Sequence, residues 1–196
     1  MAARAEPGST GELAGPASAL YPRLLGDEWP ALPEAVRQAH CDGRPKRLAG
    51  VLDVELGAGR RAGLLRWLLR LPRQAGPAAT TLEITTSGAA EIWSRRIGAW
   101  RLVSREAACA GALEETVGPL VFTFRLSRDG EALRYRQTGL RLRLLGLSLP
   151  VPPRLRLSVD AIERPTADGS GTHLHVRLSV PGGLLLAYHG DLEVQP

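Results

Sequence analysis

Glu91, Trp93 and Arg95 lie two residues apart in the stretch EIWSRRIGAW. Read as a strand, that spacing puts a carboxylate, an indole and a guanidinium on one face, with Ile97 beyond them. Ile92, Ser94 and Arg96 take the other face. A guanidinium lining a cavity can hold a carboxylate or phosphate headgroup, and an indole can stack on a ligand or cover its apolar bulk. The same residues also have a purely structural use, as a buried Glu91–Arg95 pair with Trp93 closing the core. If the sheet curves, this face is either the floor of a ligand cavity, with Glu91 orienting the site, or a charged plug.

Three of the four histidines fall in the last thirty residues: His173, His175 and His189, with Asp191 nearby. A tight turn at Gly182-Gly183 would oppose His175 with His189 and His173 with Asp191. Imidazoles and a carboxylate on one strand face are weak candidates for metal ligands. Arg177 shares that face, and a cation there disfavours a metal. Polar cross-strand pairing on a solvent face is the preferred reading of the set. No metal and no cofactor is expected.

ELGAGRRAG spaces Gly57, Gly59 and Ala62 as a dinucleotide fingerprint would, after a strand and before a helix. The context fails. Hairpins follow at once, with none of the parallel strands and crossover helices that such a fold needs, so a Gly-rich strand-to-helix turn is expected. The helix itself, LLRWLLRL, has a wide apolar arc around Trp67, with Arg66 and Arg70 four apart as a polar stripe. That pattern fits a helix packed on a sheet. It also fits an interfacial helix whose arginines face anionic headgroups. No nucleophile motif accompanies Cys109. Glu114 and Glu115 point to opposite strand faces and cannot act together.

The elements that must position these groups are mostly strands. Residues 1–17 are Ala, Gly, Pro and Glu with little to bury, read as a disordered tail before a single domain at 18–196. Two short helices follow, split at Gly26-Asp27, with Leu32, Val36 and Ala39 on one face. After a turn at Cys41-Asp42-Gly43, a strand puts Leu48, Leu52, Val54 and Leu56 inward. From Ala79 on, everything alternates. Gly98 marks a bulge or bend. PLVFTFRLSRDGEALRYRQ reads as a hairpin around Asp129-Gly130, opposing Leu126 with Leu133 and placing Phe122, Phe124 and Tyr135 on one face.

The apolar set is odd-numbered at Leu133 and Tyr135 but even-numbered at Leu140, Leu142 and Leu144. That parity switch requires one extra residue at Thr138-Gly139. LGLSLPVPP is a loop or edge segment, because its prolines cannot feed a central ladder. In the strand after it, Leu155, Leu157, Val159 and Ala161 point inward. The fold expected is α+β and mostly β: a curved antiparallel sheet or partly closed β-barrel. It has about eight to nine strands and two to three short N-terminal helices.

LYPRLLGD, ExWxRR at Glu91–Arg96, LEETVGPLVF, LLGLSLP and LLLAYHGDL occur in that order over roughly residues 18–195. Together they resemble the bacterial domain-of-unknown-function 4166 family. The family pattern has Trp and Arg at positions 93 and 95, and Phe where this chain has Ile97. The resemblance implies a domain found alone or behind oxidoreductase- or epimerase-like modules, and so possible association with such a partner. It implies no established activity.

Composition narrows the classes further. The net charge is +5, carried by 24 Arg and one Lys that are spread along the chain, and aromatics are only 5%. Nucleic-acid binding wants a clustered basic stripe with stacking aromatics, so it is not favoured. Two distant cysteines, no apolar leader and no run of roughly 18 apolar residues point to a cytoplasmic protein without a transmembrane segment. The function expected is non-catalytic binding of a small amphipathic or lipid-like ligand. Trp93, Arg95 and Glu91 form its site, and Phe122, Phe124 and Tyr135 its apolar wall. The alternative is an accessory domain meeting a partner or a membrane through Arg66, Trp67 and Arg70.

Overall fold

The computed structural model describes residues 19–40 and 44–196. The tail and the Cys41-Asp42-Gly43 turn read from the sequence lie outside these residues. Among these residues there are three short α-helices: α1 (Leu20–Leu25), α2 (Glu34–His40) and α3 (Arg60–Leu68). Among the described residues there are eleven strands, more than the eight or nine expected. They are β1 (Lys46–Leu56), β2 (Gly76–Ser87), β3 (Ala90–Ile97), β4 (Trp100–Cys109), β5 (Ala112–Val117), β6 (Leu120–Asp129), β7 (Ala132–Leu144), β8 (Leu147–Pro150), β9 (Ser158–Pro165), β10 (Thr172–Val180) and β11 (Gly183–Gln195).

Every ladder is antiparallel, and the sheet closes. Each strand from β1 to β7 pairs with the next, β9 to β11 do the same, and β11 pairs back onto β1. The closing piece is β7. One edge pairs with β6. On the other, Leu133–Arg136 pair with β9 and Arg141–Leu144 pair with β8. Ten strands therefore make the barrel, and β8 folds back as an edge strand, as its proline content requires.

The parity switch in β7 has the cause the sequence indicated. Thr123 faces Gly139 while Phe124 faces Gln137, which leaves Thr138 as the extra residue. Three local readings need correction. Gly98 sits in a hairpin turn at φ +56, with Ile97 opposite Trp100, rather than in a bulge. The β6–β7 hairpin is shifted by two, since Asp129 pairs with Ala132, so Leu126 faces Tyr135 instead of Leu133. Leu155 is exposed, because a 3-10 turn over Pro153–Leu155 precedes β9.

The core is the barrel interior. Leu48, Leu52 and Val54 of β1, Leu82 and Ile84 of β2, and Leu186 and Leu192 of β11 are buried there. The two ends differ. The β2–β3, β4–β5 and β6–β7 turns share one end with α1 and α2, where Leu20, Tyr21, Leu25, Leu32, Val36 and Ala39 are buried. The other end carries α3, the β3–β4 turn and the β7–β8 hairpin. No helix among the described residues is long and apolar enough to cross a membrane.

Candidate functional site

The barrel encloses a cavity of about 330 Å³. Its wall is aliphatic and aromatic, with Phe122, Phe124, Leu174, Val176 and Tyr188 among the lining residues. Polar lining concentrates toward the end closed by α1 and α2: His40, Arg95, Glu106, Glu115, Tyr135 and Glu163.

Strand register explains that cluster. Glu91 of β3 lies directly opposite Glu106 of β4, and Glu106 directly opposite Glu115 of β5. Three inward carboxyl groups thus share one rung of the sheet, where like charges repel. The surrounding donors answer that repulsion. Arg95 donates to Glu115 Oε1 at 3.0 Å, to Ser104 Oγ at 2.7 Å and to Glu106 Oε1 at 3.4 Å. Its guanidinium also stands 4.9 Å from the centre of the Trp93 ring, a cation–π contact. The Trp93 indole donates to Glu91 Oε2 at 3.0 Å. Tyr21, fully buried on α1, donates its hydroxyl to Glu106 Oε2 at 2.7 Å.

A second buried pair adjoins the first cluster. His40 Nε2 lies 2.7 Å from Glu163 Oε2 and 3.5 Å from the Tyr135 hydroxyl. The rings of Tyr21, His40 and Trp93 pack against one another, 4.0 to 6.2 Å between centres. Among the described residues His40 Nδ1 is buried without a hydrogen-bond partner.

Burial and crowding set the protonation states. Burial, and then the neighbouring Glu115, push the Glu106 carboxyl up to about 8 despite Arg95 and Tyr21. Burial also raises Glu91, against His40 and the Trp93 hydrogen bond. Burial opposes the Arg95 charge, but Glu115 first, then Tyr188 and Glu106, outweigh it and hold the guanidinium protonated. At neutral pH the Arg95 cation and the proton on Glu106 stand together here, with the Glu115 carboxyl 3.0 Å from Arg95.

Of the residues singled out in the sequence, Trp93, Arg95, Phe122, Phe124 and Tyr135 all line the cavity. Glu91 does not line it, and it pairs with Trp93 rather than with Arg95. The charge partners of Arg95 come from β4 and β5, which parity within β3 alone could not show. Tyr21, His40, Glu106, Glu115 and Glu163 were missed. For Glu106 and Glu115 a signal existed, since each shares its strand's inward parity. For Tyr21 and His40 none did, because short helices do not announce that their ends enter a barrel.

The remaining candidates lie elsewhere. His173, His175 and His189 are on the outer wall, with the pairing expected from the turn: His175 opposite His189 and His173 opposite Asp191. His173 Nδ1 sits 2.5 Å from Asp191 Oδ1, and His189 faces Glu55 at 3.6 Å. No group of three or more His, Cys, Asp or Glu among the described residues is arranged to hold a metal. Gly57 belongs to the barrel wall. A Cβ there would come within 1.6 Å of the Leu184 carbonyl oxygen, so its glycine serves the approach of β1 to β11 rather than a pyrophosphate.

α3 divides its apolar arc, with Ala62 buried and Leu65 packed against the core. Arg66 turns toward the barrel and donates to the Gly57 and Leu185 carbonyls, while Leu64, Trp67 and Leu68 are exposed. Arg70 is not on the same stripe. It lies past the helix at φ +54, and its carbonyl accepts the Trp100 indole N–H.

No match is found among curated proteins or among solved structures. The family model described as "Domain of unknown function (DUF4166)" matches residues 32–192, from α2 to the last strand, and the chain belongs to that family.

Proposed function

We propose that this domain binds one small, mostly apolar molecule inside the barrel, with an uncharged polar end directed at the Arg95–Glu106–His40 cluster. The observation that carries this reading is the cavity of about 330 Å³ inside the barrel, apolar along its wall with a polar cluster toward the α1–α2 end. Small-molecule sites have this composition and span about 300–1,000 Å³, so the ligand is compact.

The polar end is taken to be neutral for an electrostatic reason. A carboxylate or phosphate beside Arg95, the headgroup first considered, would compete with Glu115 for one cation and face Glu163 as well. A hydroxyl or carbonyl avoids that repulsion. The Tyr135 hydroxyl and the His40–Glu163 pair, all on the lining, supply neutral hydrogen-bonding partners for such a group.

Titration with the neutral fluorescent probe N-phenyl-1-naphthylamine tests this. Val176 lines the cavity, and Val176→Trp fills part of it. The expected result is saturable binding to the parent and at least about tenfold weaker binding to the variant, with an unchanged circular dichroism spectrum. Leu178→Trp, also on the lining, gives the same readout if the first variant does not fold. Equal affinity in a folded variant removes the cavity as the binding site.

A second reading has one observation in its favour. A carboxyl group titrating at about 8 inside a ligand-sized cavity, with Tyr135 and the His40–Glu163 pair also on the lining, suits proton exchange with a bound molecule. Glu106→Gln separates the two readings. It keeps the neutral hydrogen-bonding shape and hence ligand affinity, but abolishes any turnover that depends on the proton.

A further inference from the structure

Topology gathers residues that the linear sequence scatters. The segments at the α3 end of the barrel are 57–75, 98–101, 117–120, 143–157 and 180–184, and none contains Asp or Glu. On one side of this end they contribute Arg60, Arg61, Arg70 and Arg73, all exposed. On the other they contribute Arg143, Arg154 and Arg156. The opposite end is mixed in sign, with Asp27, Glu28, Glu34, Asp129 and Glu131 among its exposed or half-buried groups. Glu55, just below the α3 rim on the outer wall, faces His189.

The same end carries most of the large apolar side chains left in solvent. Leu64, Trp67 and Leu68 project from α3, which is anchored through Arg66 on its other side. Leu144, Leu145, Leu147 and Leu149 line the β7–β8 hairpin, and Leu145 at its tip is 94% exposed. Leu155 follows on the neighbouring turn. The cavity lining reaches this end too, through Arg70, Leu71, Trp100 and Arg101.

We infer that the α3 end docks on an anionic bilayer, with α3 and the β7–β8 hairpin as two apolar feet on either side of the barrel end that the cavity lining reaches. A rim of a single positive sign complements anionic headgroups, and protruding Leu and Trp enter the headgroup–acyl boundary. Trp67 suits that depth, where an amphipathic ring is favoured. A second copy of the chain is disfavoured as the occupant, because two such rims repel. Nucleic acid would leave the leucines unused. This inference rests on the ligand reading only for its purpose, which is to bring the cavity close to a source of apolar molecules.

Vesicle co-sedimentation tests it on the full chain. Phosphatidylcholine vesicles with and without about one-third phosphatidylglycerol are compared at low and about 0.15 M salt. The expected result is binding to the anionic vesicles only, weakened but not abolished by salt. Trp67→Glu/Leu145→Glu should reduce it at least about tenfold while leaving naphthylamine binding in the cavity unchanged. No sedimentation of the parent at low salt overturns the inference, as does equal sedimentation of the double variant. Self-association of the parent, lost in the double variant and unaccompanied by vesicle binding, would also overturn it and assign the face to a second copy. Vesicle binding that persists in Val176→Trp supports docking even if the ligand reading fails. Probe binding without vesicle binding sinks docking alone.

Discussion

Replacing Arg95 with Met should lower the thermal midpoint by about 10 °C. Among the described residues Arg95 is the one arginine within salt-bridge distance of Glu106 and Glu115, both inside the barrel. Removing one partner of a buried pair leaves an uncompensated charge and costs about 3–5 kcal/mol. For a chain of this length each kcal/mol shifts the midpoint by about 2–4 °C. The loss is specific to charge and geometry. Arg95→Lys keeps the charge but not the planar fork that reaches Ser104 and Glu115 together, so its midpoint should fall between the two.

Adding Glu115→Gln to Arg95→Met should restore part of the loss, because it removes the stranded carboxylate. In a double-mutant cycle the two sites must therefore couple. Strict additivity would mean that the pair is not energetically real. Arg134→Met provides the contrast. Arg134 meets Asp129 and Asp160 on the outer wall with all three side chains largely exposed, and its loss should cost about 0–1 kcal/mol.

Glu106 controls the pH dependence. Its folded-state value of about 8 lies above the ordinary 4.5, so the folded chain holds a proton that the unfolded chain releases. Stability from this group is fully present below about 4.5, declines as pH rises, and is lost once pH passes about 8. A shift from 4.5 to about 8 at about 1.36 kcal/mol per unit corresponds to about 5 kcal/mol over that window. The parent midpoint should therefore fall by on the order of 10 °C between pH 5 and pH 8.5. Glu106→Gln carries the neutral shape at every pH and should flatten most of that slope. Glu91, raised in the same direction by burial, leaves a smaller slope of the same sign. Differential scanning fluorimetry across the window decides the matter, and parallel slopes for parent and variant would assign the dependence to other groups.

Much of the barrel is legible in the alternation of side chains. The inward parity of β1 and β3, the extra residue at Thr138 and the pairing of His173 with Asp191 all follow from period-two patterning and turn chemistry. Closure is not legible. It depends on β7 pairing with β6, β8 and β9, and no local pattern marks a strand with three partners. The carboxyl rung is hidden for a related reason. Glu91, Glu106 and Glu115 lie in three strands, and only the registers of two hairpins align them. α3 shows a different limit. Its apolar arc reads as one face, but Ala62 and Leu65 pack inward while Arg66 donates to the Gly57 and Leu185 carbonyls, and Leu64, Trp67 and Leu68 stay exposed. The arginine distribution misleads in the same way, since residues far apart in sequence converge on one rim.

The central claim is that a ligand enters the barrel and sits against Trp93 and Trp100, both on the cavity lining. Trp29 and Trp67 lie outside it, so Trp29→Phe/Trp67→Phe leaves only the two cavity indoles as emitters. Titrating that variant with a neutral bromoalkanol measures contact directly, because bromine quenches indole fluorescence at short range. The expected result is saturable quenching with one molecule per chain, lost in the Val176→Trp background once the added indole's own emission is subtracted. Quenching that rises linearly without saturation, as for free tryptophan in solution, would contradict it.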